Sequence, residues 1–231
     1  MRATILPRGE KIPFLSEIDK SHYICKPNGR FMNDTKEHIL KTSLLLFLQK
    51  SYRDVTMREI VEKTGLSKGA FYHYFASKEE LFKEIANMFL SKGAINYSSF
   101  SKDSLQTFYR QYIEFLNNSL LEMSNMVAES GNKSFNLNFF LILFEGVGRF
   151  PEFLKMELAL HMKDVEAWKD IIAFARKQGE ITSGTTDEEI ANLFLYCTDG
   201  VFLRFINSDK PRAFKDFLSN AYDTIYENLK T

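Results

Sequence analysis

Apolar residues recur at three- and four-residue spacing through most of the chain, a period that predicts helices. Ile39, Leu40, Leu44, Phe47 and Leu48 share one face of a first helix between about Asn33 and Tyr52. Leu81, Phe82, Ile85, Met88 and Phe89 continue one that starts at Ser77 and ends at Gly93. A longer stripe, from Leu105 through Phe108, Tyr112, Leu116, Leu120 and Met123 to Val127, is stopped by Gly131 and Asn132. The run FNLNFFLILFEGVG (135–148) is apolar on all sides, the pattern of a helix buried inside a bundle, and no second strand-like run exists to pair with it. Pro151 suits the first turn of a helix carrying Leu154, Leu158, Met162, Trp168, Ile171 and Ile172 to Gly179. Two more follow: one with Ile190, Phe194, Cys197 and Val201, and one opened by Pro211 with Phe214, Phe217, Leu218, Ala221 and Tyr222. The expected fold class is therefore all-α.

The densest helix punctuation lies between Thr56 and Leu81. Thr56 with Glu59 forms a capping box, and Val55 and Ile60 are placed as its hydrophobic staple. Gly65 stands where a helix ends in a left-handed residue, with Val61 and Leu66 spaced for the contact that accompanies such a stop. Ser67 then caps a short helix from Lys68 to about Phe75, and Ser77 with Glu80 repeats the capping box. Two short helices joined by a tight glycine-containing turn form the DNA-reading helix-turn-helix, whose second helix enters the major groove. Lys68 and Lys78 bring charge, Gly69 permits close backbone approach, and Tyr72, His73 and Tyr74 bring donors for phosphate oxygens. The same geometry also occurs as ordinary helix packing.

Thr56, Ile60, Gly65, Ser67, Gly69, Tyr72, Tyr74, Phe75 and the string Ser77-Lys78-Glu79-Glu80-Leu81 together resemble the DNA-binding region of the TetR (tetracycline repressor-like) family. With the first helix, the likeness covers about fifty residues. It implies that Thr56, Ser67, His73, Tyr74 and Lys78 grip phosphates while Lys68, Gly69 and Tyr72 face bases. Ser51 departs from the family's usual glycine and puts that helix boundary in question. The resemblance also implies a homodimer on a palindromic double-stranded operator, formed by the last two helices with Phe194, Cys197, Gly200, Val201, Phe217 and Ala221 at the interface. The other reading of those stripes is an intramolecular core. It further implies repression relieved by a small effector, and the aromatic composition makes that effector hydrophobic or aromatic. Phe108, Tyr112, Met123, Phe139, Phe140, Phe144, Met162 and Trp168 are the pocket candidates, which plain core packing accounts for equally well. Asn136, Asn138, Glu145, Arg149, His161 and Asp199 are polar groups available to orient a ligand there. The implied domains are residues 32–80 for DNA and 81–231 for effector and dimerisation, after a flexible extension, 1–31.

Composition narrows the alternatives. The 231 residues are 45% hydrophobic and 26% charged, enough to bury a sizeable core. Formal net charge is zero, so attraction to DNA must come from local placement. Residues 33–81 hold eight Lys/Arg against seven Asp/Glu, a balance of 8 − 7 = +1, which predicts a modest electrostatic footprint. Residues 1–31 hold six Lys/Arg, three Asp/Glu and three prolines, a composition that fits either a basic arm along DNA or a leader preceding a start at Met32. Cys25 and Cys197 are far apart and the four histidines scattered, so no metal site, cofactor or disulfide is expected. No hydrolase, nucleotide-binding or metalloprotease motif occurs, which argues against an enzyme. No apolar run is long enough to cross a membrane and no signal-peptide pattern opens the chain, so a cytoplasmic location is expected. The alternative of another class is a helical small-molecule-binding or interaction protein without operator binding.

Overall fold

The capping signals sit where the chain turns. In the computed structural model, which describes residues 30–129, 138–206 and 213–230, nine α-helices follow one another: α1 Arg30–Gln49, α2 Met57–Thr64, α3 Lys68–Tyr74, α4 Lys78–Gly93, α5 Leu105–Glu129, α6 Asn138–Arg149, α7 Pro151–Lys177, α8 Asp187–Ile206 and α9 Phe214–Leu229. A short 3-10 turn, Tyr97–Ser99, joins α4 to α5, and no strand occurs among the described residues. The extension through residue 29, the Gly131–Asn132 stop and Pro211 lie outside the described residues. Helix α1 begins at Arg30, two residues inside the expected extension.

Residues 38–231 pack as one compact unit around two apolar cores. The first is made by Ile39, Leu44, Phe47, Val55, Ile60, Phe71, Phe75, Leu81, Phe82 and Ile85, and it closes α1 to α4 on one another. Ile142 of α6, and Phe150 and Phe153 at the start of α7, join the same core, so the small N-terminal helices rest on the rest of the chain through apolar contact. Gly146 lets α6 come close to α4 here, since a Cβ at that position would lie 3.4 Å from the Ala86 Cβ. The second core joins α5, α7, α8 and α9 through Phe108, Tyr109, Tyr112, Trp168, Phe194 and Tyr222. Its rings meet edge-on and stacked, Trp168 on Phe194 at 4.8 Å and Phe194 against Tyr222 at 4.8 Å between centroids, spacings typical of favourable aromatic pairs.

Helix α6 departs from the sequence expectation. Ile142 is buried, but Leu141 and Phe144 are exposed, Phe144 at 64%. The helix presents one face to α4 and α7 and leaves an apolar face open in the single chain, so an unbroken hydrophobic run does not mean burial all round.

Candidate nucleic-acid interface

The local signals of residues 56–81 are realised as hydrogen bonds. Glu59 N–H donates to Thr56 Oγ1 at 3.2 Å and Ala70 N–H to Ser67 Oγ at 3.2 Å, each satisfying a donor that the first helical turn leaves without an intrahelical partner. Gly65 has φ +67, the left-handed stop between α2 and α3. At the start of α4, Glu80 N–H donates to Ser77 Oγ, but the Glu80 carboxylate accepts from Ala76 N–H at 2.8 Å, one residue earlier than a capping box reaches. Glu59 has a second task, because Lys50, just past the end of α1, donates to its carboxylate at 2.5 Å and holds its pKa below the usual carboxylate range. Arg58 pairs with Glu62 one turn on, two exposed side chains whose charges cancel locally.

Helix α3 is anchored by what it buries. Phe71 and Phe75 sit fully inside the first core, and this turns Ser67, Lys68, Gly69, Tyr72 and His73 outward together. Thr56 is exposed beside them at the start of α2, and Tyr74 is half-buried. Tyr72 is 40% exposed, large for an aromatic ring, with the Lys68 ammonium 5.9 Å from its centroid. The outward face thus combines a cation, hydroxyl and imidazole donors and a position without a side chain, in one helical turn and a half. That is the donor set that phosphate and base-edge contacts require.

Lys78 is the exception among these candidates. Its ammonium donates to the carbonyls of Tyr52 at 2.8 Å and Val55 at 2.7 Å and lies 4.4 Å from the Tyr52 ring, so it clamps the α1–α2 connection instead of standing free for a phosphate. Burial, and then the nearby Arg149 charge, lower its pKa. The opposite face of this arrangement is closed by Arg149 from the end of α6, whose guanidinium also lies 4.4 Å from the Tyr52 ring while pairing with Glu145. Tyr52 is therefore flanked by two cations and packed on Phe47 and Phe82, a contact joining the α1–α2 connection to α6 that helical periodicity does not reveal. Ser51, where a glycine was expected, makes no left-handed residue. The helix ends at Gln49, and Ser51 Oγ donates to Asp54 at 2.7 Å to form a turn.

The candidates in the larger part of the chain are divided by the structure. Phe108, Tyr112 and Trp168 come together, but as packed members of the second core. Met162 and Phe144 are exposed, apart from that cluster. The side chains of Met123, Phe139 and Phe140 lie outside the described residues. Of the six interface candidates, Phe194 is fully buried in the chain's own core, where no second chain reaches it, because its ring turns toward Trp168 and Tyr222. Cys197, Val201 and Ala221 are half-buried, while Gly200 and Phe217 are open, Phe217 at 63%. Leu193, Tyr196 and Leu203, which the sequence reading left out of the interface set, extend the open apolar face of α8; their spacing of three, four and seven residues from one another and from Gly200 is a legible signal.

A short, glycine-stopped helix followed by a second helix with an outward polar face defines a helix-turn-helix protein of the DNA-binding type, carried on a helical body. Residues 39–85 match the family described as bacterial regulatory proteins, tetR family. It is 33% identical over 99 residues to the uncharacterised HTH-type transcriptional regulator YuxN of Bacillus subtilis, a match covering 42% of this chain and 34% of that protein. It is 40% identical over 52 residues to the HTH-type transcriptional repressor NemR of Escherichia coli, covering 22% of this chain and 26% of the other. The chain thus spans about a third and about a quarter of those two relatives. A solved TetR transcription regulator from Haloarcula marismortui shares the fold at a TM-score of 0.62 with 15% identity, over 85% of this chain and 98% of that one.

Proposed function

We propose that this protein is a transcriptional regulator, a repressor, that binds a palindromic operator as a homodimer and leaves it when a small effector binds its helical body. The observation that carries this reading is the outward set on α3, Lys68, Gly69, Tyr72 and His73, held in place by buried Phe71 and Phe75. In this reading Ser67 and Thr56 meet phosphates, Lys68 and Tyr72 face the groove, and Tyr74 and Lys78 act mainly by fixing the helices. Residues 32–80 read DNA, while residues 81–231 take the effector and dimerise through the open faces of α8 and α9. One such helix covers few base pairs, and a two-fold dimer doubles the readout. Such a protein works in the cytoplasm and needs no catalytic group, and the names of its relatives, regulators and repressors, support that reading.

The test is binding of the purified protein to labelled DNA from immediately upstream of its own gene. A shift that survives competitor DNA and is lost in Tyr72→Ala supports the reading. No retention on DNA even at low salt favours a helical ligand-binding protein without operator binding. The near-neutral reading region predicts a shallow fall of affinity with salt, a few charges per half-site.

A further inference from the structure

The corner between α6 and α7 is a single residue. Helix α6 ends at Arg149 and α7 starts at Pro151, so Phe150 alone makes the turn, in the extended conformation that a following proline favours. Phe150 N–H donates to the Gly146 carbonyl at 3.0 Å, and the Phe150 carbonyl accepts from Phe153 N–H at 2.9 Å, which leaves the corner little freedom. Two adjacent side chains of this corner grip two adjacent rings. The Arg149 guanidinium lies 4.4 Å from the centre of the Tyr52 ring, and the Phe150 ring stacks at 6.3 Å on Phe82, which itself meets Tyr52 edge-on at 4.6 Å. Glu145, one turn back on α6, pairs with Arg149 at 2.7 Å and aims it. Tyr52 belongs to the short connection from α1 to α2, whose carbonyls at Tyr52 and Val55 accept from Lys78 of α4. That connection runs straight into the Thr56 cap of α2 and, past Gly65, into α3. Lys78 and Arg149 are like charges beside one ring, and the electron-rich face of Tyr52 offsets their repulsion by attracting both. Tyr52 therefore cannot shift without disturbing both cations.

We propose that Arg149 is a positioning residue which, through Tyr52, fixes the tilt of α2 and α3 on the helical body and so sets the spacing between operator half-sites that the dimer accepts. The inference rests on the regulator reading above and adds to it the residue that decides half-site separation. Arg149 sits on α6 and touches no base in this arrangement; it acts on the turn from which α2 and α3 start. A shift of one base pair moves a half-site by about 3.4 Å and turns it by about a tenth of a helical turn, so a dimer whose α3 helices are held at one tilt accepts one spacing. Loosening the Tyr52 contact leaves the outward face of α3 as it is and widens the range of tilts.

The probe is a library of random DNA duplexes, from which the purified full-length protein and its variants each select binders; sequencing then gives both the half-site and the spacing. The parent protein is expected to enrich one spacing over those one base pair shorter or longer by about tenfold or more, and Arg149→Gln to cut that preference several-fold while enriching the same half-site sequence. Arg149→Lys, which keeps a cation beside the ring, restores most of the preference. Tyr52→Leu, which keeps apolar packing and removes the ring, behaves as Arg149→Gln does, and the double variant is no worse than either alone. Lys169→Gln, far along α7 and paired there with Glu166, is the control, and thermal unfolding checks that each variant folds. Hydrogen exchange on the DNA-free protein gives a second reading: Arg149→Gln speeds exchange in residues 50–75 and leaves α8 and α9 unchanged. A spacing preference that Arg149→Gln and Tyr52→Leu both retain, or a changed half-site sequence, overturns this inference alone. A parent protein that enriches no duplex overturns the regulator reading instead.

Discussion

Asp164 shows how burial sets the pH dependence of one residue. Its carboxyl is raised from 3.8 to about 6, first by burial, against the opposing effects of the Tyr97 hydroxyl, His161 and Lys163 and with the reinforcing charge of Asp199. The folded chain therefore keeps this proton over a pH range in which the unfolded chain has lost it. The stabilisation is complete below the unfolded value and disappears as pH rises through about 6. Asp164→Asn is accordingly expected to raise stability at neutral pH by about 1–3 kcal/mol and to flatten the pH dependence between the two values. Urea unfolding at a series of pH values measures this, and an unchanged profile would show that the carboxyl is well solvated. A second residue-scale case is Tyr222, whose buried hydroxyl meets Thr198 and donates to the Phe194 carbonyl at 3.0 Å. Tyr222→Phe is expected to cost about 1–2 kcal/mol, since it leaves the Thr198 hydroxyl and that carbonyl short of a partner.

At the scale of the element, α2 and α3 depend on their ends more than on their length. Helices of eight and seven residues have little stability of their own, so caps and buried faces decide whether they form. Gly65→Ala leaves the contacts intact but asks an alanine to adopt φ +67, at an expected cost of about 1 kcal/mol, visible as a lower thermal midpoint. Ser67→Ala removes the bond to Ala70 N–H and is expected to cost about 1 kcal/mol while also weakening DNA binding. A stability loss without any DNA effect would place Ser67 away from the phosphates. These ends were legible because capping is local: the serine or threonine and its partner are three residues apart. Helix α1 was misplaced at its start because Arg30 and Phe31 carry no such punctuation.

At the scale of the whole molecule, the open apolar faces of α8 and α9 matter most. Phe217, Leu193, Tyr196 and Leu203 are all at least half exposed in the single chain, beside Gly200, where nothing stands within 4 Å of a built Cβ. An apolar surface of this kind on two adjacent helices suits close pairing with its own copy. Phe217→Asp is expected to shift the protein to monomer in analytical ultracentrifugation and to abolish operator binding with little change in helicity. A monomeric parent protein, or a dimeric variant, would place the interface elsewhere. The coupling between the two cores belongs to this scale as well. Tyr52, held between Lys78 and Arg149, and the ion pair of Lys83 with Glu152 fasten α1 to α4 onto α6 and α7.

Helical class and the capped ends of α2, α3 and α4 follow from the sequence itself, because periodicity, capping and left-handed stops act over at most a few residues. The tertiary structure alone decided which apolar stripes face inward. Phe194 and Phe217 carry the same ring on neighbouring helices, yet one is sealed against Trp168 and the other lies open. It alone turned Lys78 inward to the Tyr52 and Val55 carbonyls, and it placed Glu180 to accept from the first amides of α5, Leu105 at 2.9 Å and Gln106 at 3.1 Å, from 75 and 74 residues away. Such partners are chosen by where helices cross in space, and sequence spacing holds no record of that.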